Sequence, residues 1–171
     1  MSRYKMFAFI ALITFAFGVA LVGGALAGEK VKVRNVYHNV KWEQVNVGDE
    51  DGHVIAVAEN KGITTNLEGK WFADGYSERS MAIDDMNLKT GLGSGQGYGE
   101  TTDRDGNKWY YTWEGNGLKG GKFGTGYWAG TWTMVKGTGR FEGIKGKGTW
   151  QSYNAGGQSY TDWEGEVELR R

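Results

Sequence analysis

Ile144-Lys145-Gly146-Lys147-Gly148-Thr149-Trp150-Gln151-Ser152-Tyr153-Asn154-Ala155-Gly156-Gly157-Gln158-Ser159-Tyr160-Thr161-Asp162-Trp163-Glu164-Gly165-Glu166-Val167 reads as two β-strands around a turn. Side chains two residues apart share a strand face, and here glycine, Trp and aliphatic residues hold one parity while Lys and Glu hold the other. Asn154-Ala155-Gly156-Gly157 carries the turn chemistry. Pairing Tyr153 with Gln158 matches Trp150 with Thr161, Gly148 with Trp163, Gly146 with Gly165 and Ile144 with Val167 on one face. The other face then matches Lys147 with Glu164 and Lys145 with Glu166. One register thus separates apolar positions from opposite charges, and it points Trp163 inward and Glu164 outward.

The same alternation extends back through the chain. Strands are expected near 31–47, 53–64, 70–83, 88–102, 107–115, 122–136, 143–153 and 158–169, with breaks such as Gly48–Gly52, Asp84–Asn87, Asp103–Gly106 and Gly137–Gly139. Thirty glycines interrupt almost every window that could carry a helical stripe, and proline is absent. Strands at hairpin distance without crossover helices predict an all-β fold, an eight-stranded antiparallel up-and-down (calycin-like) β-barrel whose closure hides both sheet edges. A sandwich is the alternative.

Trp-Glu-Gly occurs twice, at 113–115 and 163–165. With a turn at Asp103–Asn107, Trp109 faces Thr101, Tyr111 faces Gly99 and Trp113 faces Gly97. With a turn at Asn116–Gly121, Tyr111 faces Gly126 and Trp113 faces Gly124. Both rings are expected between glycines on either side, a packing device suited to a tightly coiled sheet.

At the N-terminus, Arg3 and Lys5 precede a charge-free 17-residue apolar run, Met6–Val22, followed by Gly23-Gly24 and Ala25-Leu26-Ala27. This is the pattern of a secretory signal peptide over 1–27, leaving a single domain of residues 28–171; an uncleaved anchor is the rival. The implied location is periplasmic or secreted. With no cysteine, the domain relies on its core rather than on disulfides. Removing 1–27 takes two of 20 basic residues and no acidic ones, so the net charge becomes −2. That balance gives no reason to expect nucleic acid, or a membrane after cleavage, as a partner.

Met134-Val135-Lys136-Gly137-Thr138-Gly139-Arg140-Phe141-Glu142-Gly143-Ile144-Lys145-Gly146 resembles the late hairpin of allene oxide cyclase-like and dirigent-like barrels, which carry a similar Gly-Thr-Gly-x-Phe-x-Gly phrase. The chain also resembles small exported bacterial proteins built on that barrel. The resemblance covers about 13 residues and implies an eight-stranded barrel holding an apolar small molecule; it carries over no active-site residue.

Candidate chemistry is sparse. Gly91–Gly97 lacks the spacing and the following helix of a dinucleotide loop, and Gly120-Gly121-Lys122 lacks the rest of a phosphate loop. Asp103, Asp105, Asn107 and Glu114 fall on calcium-loop positions, but the glycine is misplaced and a tight Asp-Gly turn is the better reading. Neither a metal nor a cofactor is expected. His38 shares parity with Val36, Val40 and Trp42, and Arg79 with Ser77, Met81 and Ile83, so each is a candidate polar group inside the lumen. A bulge near Gly75 would instead return Arg79 to solvent. The expected ligand-binding set is Trp42, Tyr111, Trp113, Trp128, Trp132, His38 and Arg79, with no catalytic residue. The favoured function is an exported, non-catalytic barrel binding a small apolar or aromatic ligand. The alternatives are a cyclase- or isomerase-like enzyme, or a structural or assembly module of the envelope using exposed aromatics such as Tyr110, Tyr160 and Phe72.

Overall fold

In a computed structural model of the chain, which describes residues 28–69, 75–118, 127–155 and 158–169, eight antiparallel strands close into a barrel in sequence order. They are β1 (Glu29–Asn46), β2 (His53–Glu68), β3 (Tyr76–Asn87), β4 (Gly93–Thr102), β5 (Lys108–Leu118), β6 (Tyr127–Gly137), β7 (Lys145–Ala155) and β8 (Gln158–Glu168). β8 returns to pair with β1 from Glu29↔Val167 to Tyr37↔Ser159, so the eight described strands leave no open edge. The expected signal peptide, Phe72 and the glycines 124 and 126 lie outside the described residues.

Alternation sets the faces. The β4–β5 ladder has the expected register, with Gly97↔Trp113, Gly99↔Tyr111 and Thr101↔Trp109. The β7–β8 ladder slides by two residues: Trp150 faces Trp163, Gly148 faces Gly165 and Lys147 faces Glu166. Pairing persists to Ala155↔Gln158, so the connection is shorter than the four residues of the sequence reading. A slip of two preserves parity, and so the glycine–aromatic face and the charged face survive intact. The β5–β6 register differs more. β5 continues to Leu118, and Trp113 faces Trp132 while Tyr111 faces Met134, so neither ring lies between two glycines.

Glycine still makes room for the rings. A Cβ on Gly97 would lie 2.5 Å from Trp113 Cζ2, and one on Gly115 would lie 2.4 Å from Trp150 Cζ2. Each distance is below van der Waals contact, so the ring occupies the space a side chain would take. The expected consequence is testable in Gly99→Ala, whose new Cβ would sit 2.1 Å from Tyr111 Cζ. Forcing the ring aside should destabilise the fold by about 1–3 kcal/mol in urea unfolding. An unchanged midpoint would contradict this packing.

Candidate functional site

The two ends of the barrel differ. At the end where β5 begins, the β6–β7 connection folds a short 3-10 turn, Gly139–Phe141, across the opening. Phe141 is 1% exposed and packs edge-on to Trp109 at 4.7 Å, with Ile144 and Tyr76 beside them. Arg140 lies over the Phe141 ring, donates from Nε to Asp103 at 2.7 Å and also bonds the Tyr76 hydroxyl. Asp103 accepts from the backbone N–H groups of Asp105 and Asn107, which is the Asp-Gly turn of the sequence reading. The Gly-Thr-Gly-Arg-Phe-Glu-Gly phrase therefore plugs the barrel.

Above the plug lies a buried polar layer. Glu78, 3% exposed, accepts hydrogen bonds from the Thr101 and Tyr111 hydroxyls and, at 3.5 Å, from Thr64. Burial pushes its carboxyl up to about 8 against the pull of these three donors. The Tyr37 hydroxyl accepts from Asn35 Nδ2 at 2.9 Å, and burial raises both tyrosine hydroxyls, Tyr37 and Tyr111, well above their ordinary value. Trp163 Nε1 is buried with no hydrogen-bond partner among the described residues.

Toward the other end the lumen opens into a cavity of about 400 Å³. Tyr37, Trp42, Trp113, Trp128, Trp150 and Trp163 line it, with small residues Ala58, Ser80 and Ala82 between them. Trp113 donates to Ser80 Oγ at 3.0 Å and packs edge-on to Trp150 at 5.6 Å. Trp42, 40% exposed, stands at the rim. Asp84 also lines this half, and burial alone raises its carboxyl to about 6.

Of the expected binding residues, Trp42, Trp113 and Trp128 meet in this cavity, whereas Tyr111 and Trp132 are buried in the packed half. His38 and Arg79 need correction, since both lie on the outer surface. On β1 the inward residues are Val31, Val33, Asn35 and Tyr37, all odd. A register shift between Asn39 and Lys41 then exchanges the faces, so Trp42 opposes inward Ala58 while His38 stays outside and exposed. On β3, the inward residues are Tyr76, Glu78, Ser80, Ala82, Asp84 and Met86, opposite to the parity of Arg79. Among the described residues neither ladder of β3 carries a bulge. Ser80 and Ala82 pair with Gly99 and Gly97, the glycines that receive Tyr111 and Trp113, and this fixes the face. Arg79 instead bonds Glu59 across the outer surface at 2.9 Å. Glu78 and Asp84 were missed because Met81 and Ile83, which lie exposed outside, made the opposite face look like the core. The β3–β4 register was the signal that could have found them.

Folded Glu78 holds its proton up to about 8, against an ordinary value of 4.5, so between these pH values the folded state binds more protons than the unfolded one. Stability should therefore fall as pH rises through that window. Asp84 acts in the same sense between 3.8 and about 6. His53, raised by Asp85 and Asp49, also loses its contribution as pH rises through its folded pKa. The diagnostic comparison is Glu78→Gln. Its urea midpoint should vary less between pH 5 and pH 8 than that of the wild type, and an identical slope would show that Glu78 is not the buried acid described.

Compared with known proteins, the chain matches no protein-family model and no curated protein. Among solved structures it is similar to a pterocarpan synthase dirigent protein, at 9% identity and a TM-score of 0.46 over 86% of this chain and 91% of that one. The barrel assignment stands on the chain's own closed ladder of strands.

Proposed function

We propose that the chain is exported and that its barrel is a non-catalytic binding protein for a small apolar or aromatic molecule held in the open half of the lumen. One observation carries this reading: the rings that fill the plugged half give way, toward the other end, to a ring-lined cavity of about 400 Å³. Ligand pockets are commonly of this size, mostly apolar and furnished with a few polar groups. Export rests on the basic head, apolar run and Ala-Leu-Ala end of residues 1–27.

Asp84 is the observation that favours the cyclase- or isomerase-like alternative, because a carboxyl raised to about 6 inside a cavity suits proton transfer near neutral pH. Glu78 lends that alternative less support, being enclosed by hydroxyls and absent from the cavity lining. An assembly module is favoured instead by Ile55, Val57, Met81 and Ile83, which are exposed on the outer faces of β2 and β3.

Native mass spectrometry of protein from its own compartment separates the three readings. A retained small molecule, recovered unchanged after incubation with the protein, supports binding. Conversion supports the enzyme, and an empty oligomer supports the module. In vitro, the neutral dye N-phenyl-1-naphthylamine should bind with a fluorescence rise, and Ala58→Trp, which fills the cavity from β2, should reduce its affinity at least tenfold. Undiminished uptake by the folded variant would place the dye elsewhere and remove the support for a lumen site.

A further inference from the structure

The open half of the lumen is electrostatically one-sided. Asp84 is the only ionic side chain among the described residues lining it; Lys, Arg and His contribute none. The remaining polar lining is neutral, such as Asn60, Ser80, Ser152 and Thr161. On its own sheet Asp84 stands between Ala56 of β2 and Gly95 of β4, and neither offers a side-chain donor. Among the described residues its carboxylate makes no hydrogen bond or ion pair, and desolvation is the sole cause acting on it. The next inward acid is Glu78, six residues along β3, which is satisfied by hydroxyls in the packed half.

An aromatic ring shares the spot. The point where a Cβ on Gly95 would stand lies 2.2 Å from Asp84 Oδ1 and 3.2 Å from Trp128 Cζ3. Carboxylate and indole therefore border one small volume above Gly95. Trp42, Trp113 and Trp150 contribute further rings to the same cavity. A neutral occupant would leave the carboxylate partly desolvated without a partner, which is costly. An anion would be repelled. A cation offsets the buried charge and is attracted by the negative faces of the surrounding rings, more strongly where water is excluded.

We propose that the lumen mouth is a site for a small organic cation, an amine or quaternary ammonium with an apolar or aromatic body, whose charge sits beside Asp84 and Trp128. This rests on the lumen-binding reading and adds the ligand's charge to it. The body occupies the space between Trp42, Trp113 and Trp150, and the plug at Phe141 closes the far end.

The test uses two probes of nearly equal shape, phenyltrimethylammonium and its neutral isostere tert-butylbenzene, titrated at pH 7.5 with calorimetry and tryptophan fluorescence. The wild type should bind the cation at least tenfold more tightly than the isostere. Asp84→Asn should weaken the cation at least tenfold and change the isostere by less than twofold. Trp128→Leu should weaken the cation more than the isostere, and serves if Asp84→Asn does not fold. Equal affinities in the wild type, or a cation preference untouched by both variants, would overturn the proposal while leaving a lumen that binds apolar molecules. Binding of neither probe would overturn both.

Discussion

Large rings laid over bare glycine backbone are the constraint on which the barrel depends. Trp113 covers Gly97, Tyr111 covers Gly99, Trp150 covers Gly115 and Trp132 covers Gly165, each with ring atoms where a Cβ would stand. Lying flat along the sheet also brings indole N–H groups to backbone carbonyls: Trp132 donates to Thr149 and Glu164, and Trp150 to Thr131. Buried indoles normally find such an acceptor, and Trp163 is the exception here. The glycines thus serve two purposes at once, admitting the rings and leaving the carbonyls within their reach. Where glycine continues toward the mouth, at Gly95 and Gly117, Trp128 is the ring beside it. The cavity begins there.

The same strand shows how position along the lumen decides the chemistry of a carboxylate. Glu78 and Asp84 share the inward face of β3, and burial raises both. Glu78 sits at the level of Thr64, Thr101 and Tyr111, whose hydroxyls satisfy it and hold it within the packed half. Asp84 sits among glycine and rings and has no such partners among the described residues. Buried polar groups in folded proteins are normally paired, and it is this difference in pairing among the described residues that separates the two carboxylates.

Much of this was legible in the sequence. Period-two alternation and turn residues located all eight strands, with the Trp and Gly spacing carrying those from Gly91 onward, and tight turns with obvious chemistry, such as Asp103–Asn107, set the β4–β5 register. Parity survived the two-residue slip between β7 and β8, so the inward place of Trp150 and Trp163 was readable even with the wrong partners. Three things were not readable from the composition of the strand itself. The face exchange on β1 depends on a bulge that no residue type between Asn39 and Lys41 announces. The β5–β6 register depends on how far β5 runs past Gly115, and the glycines there permit either choice. The inward face of β3 is dictated by the glycines of β4 rather than by its own composition, because Met81 and Ile83 outweigh Ser80 and Ala82 in any hydrophobic tally of that strand.

The central claim is a barrel packed at one end and receptive at the other. It is tested most directly by fluorine NMR of protein labelled with 5-fluorotryptophan, its resonances assigned by single Trp→Phe variants, during titration with a neutral apolar molecule such as naphthalene. Trp42, Trp113, Trp128 and Trp150, which line the cavity, should shift saturably, while Trp109 and Trp132, buried in the packed half, should not. Shifts spread evenly over all of these tryptophans, or none at any of them, would contradict the account.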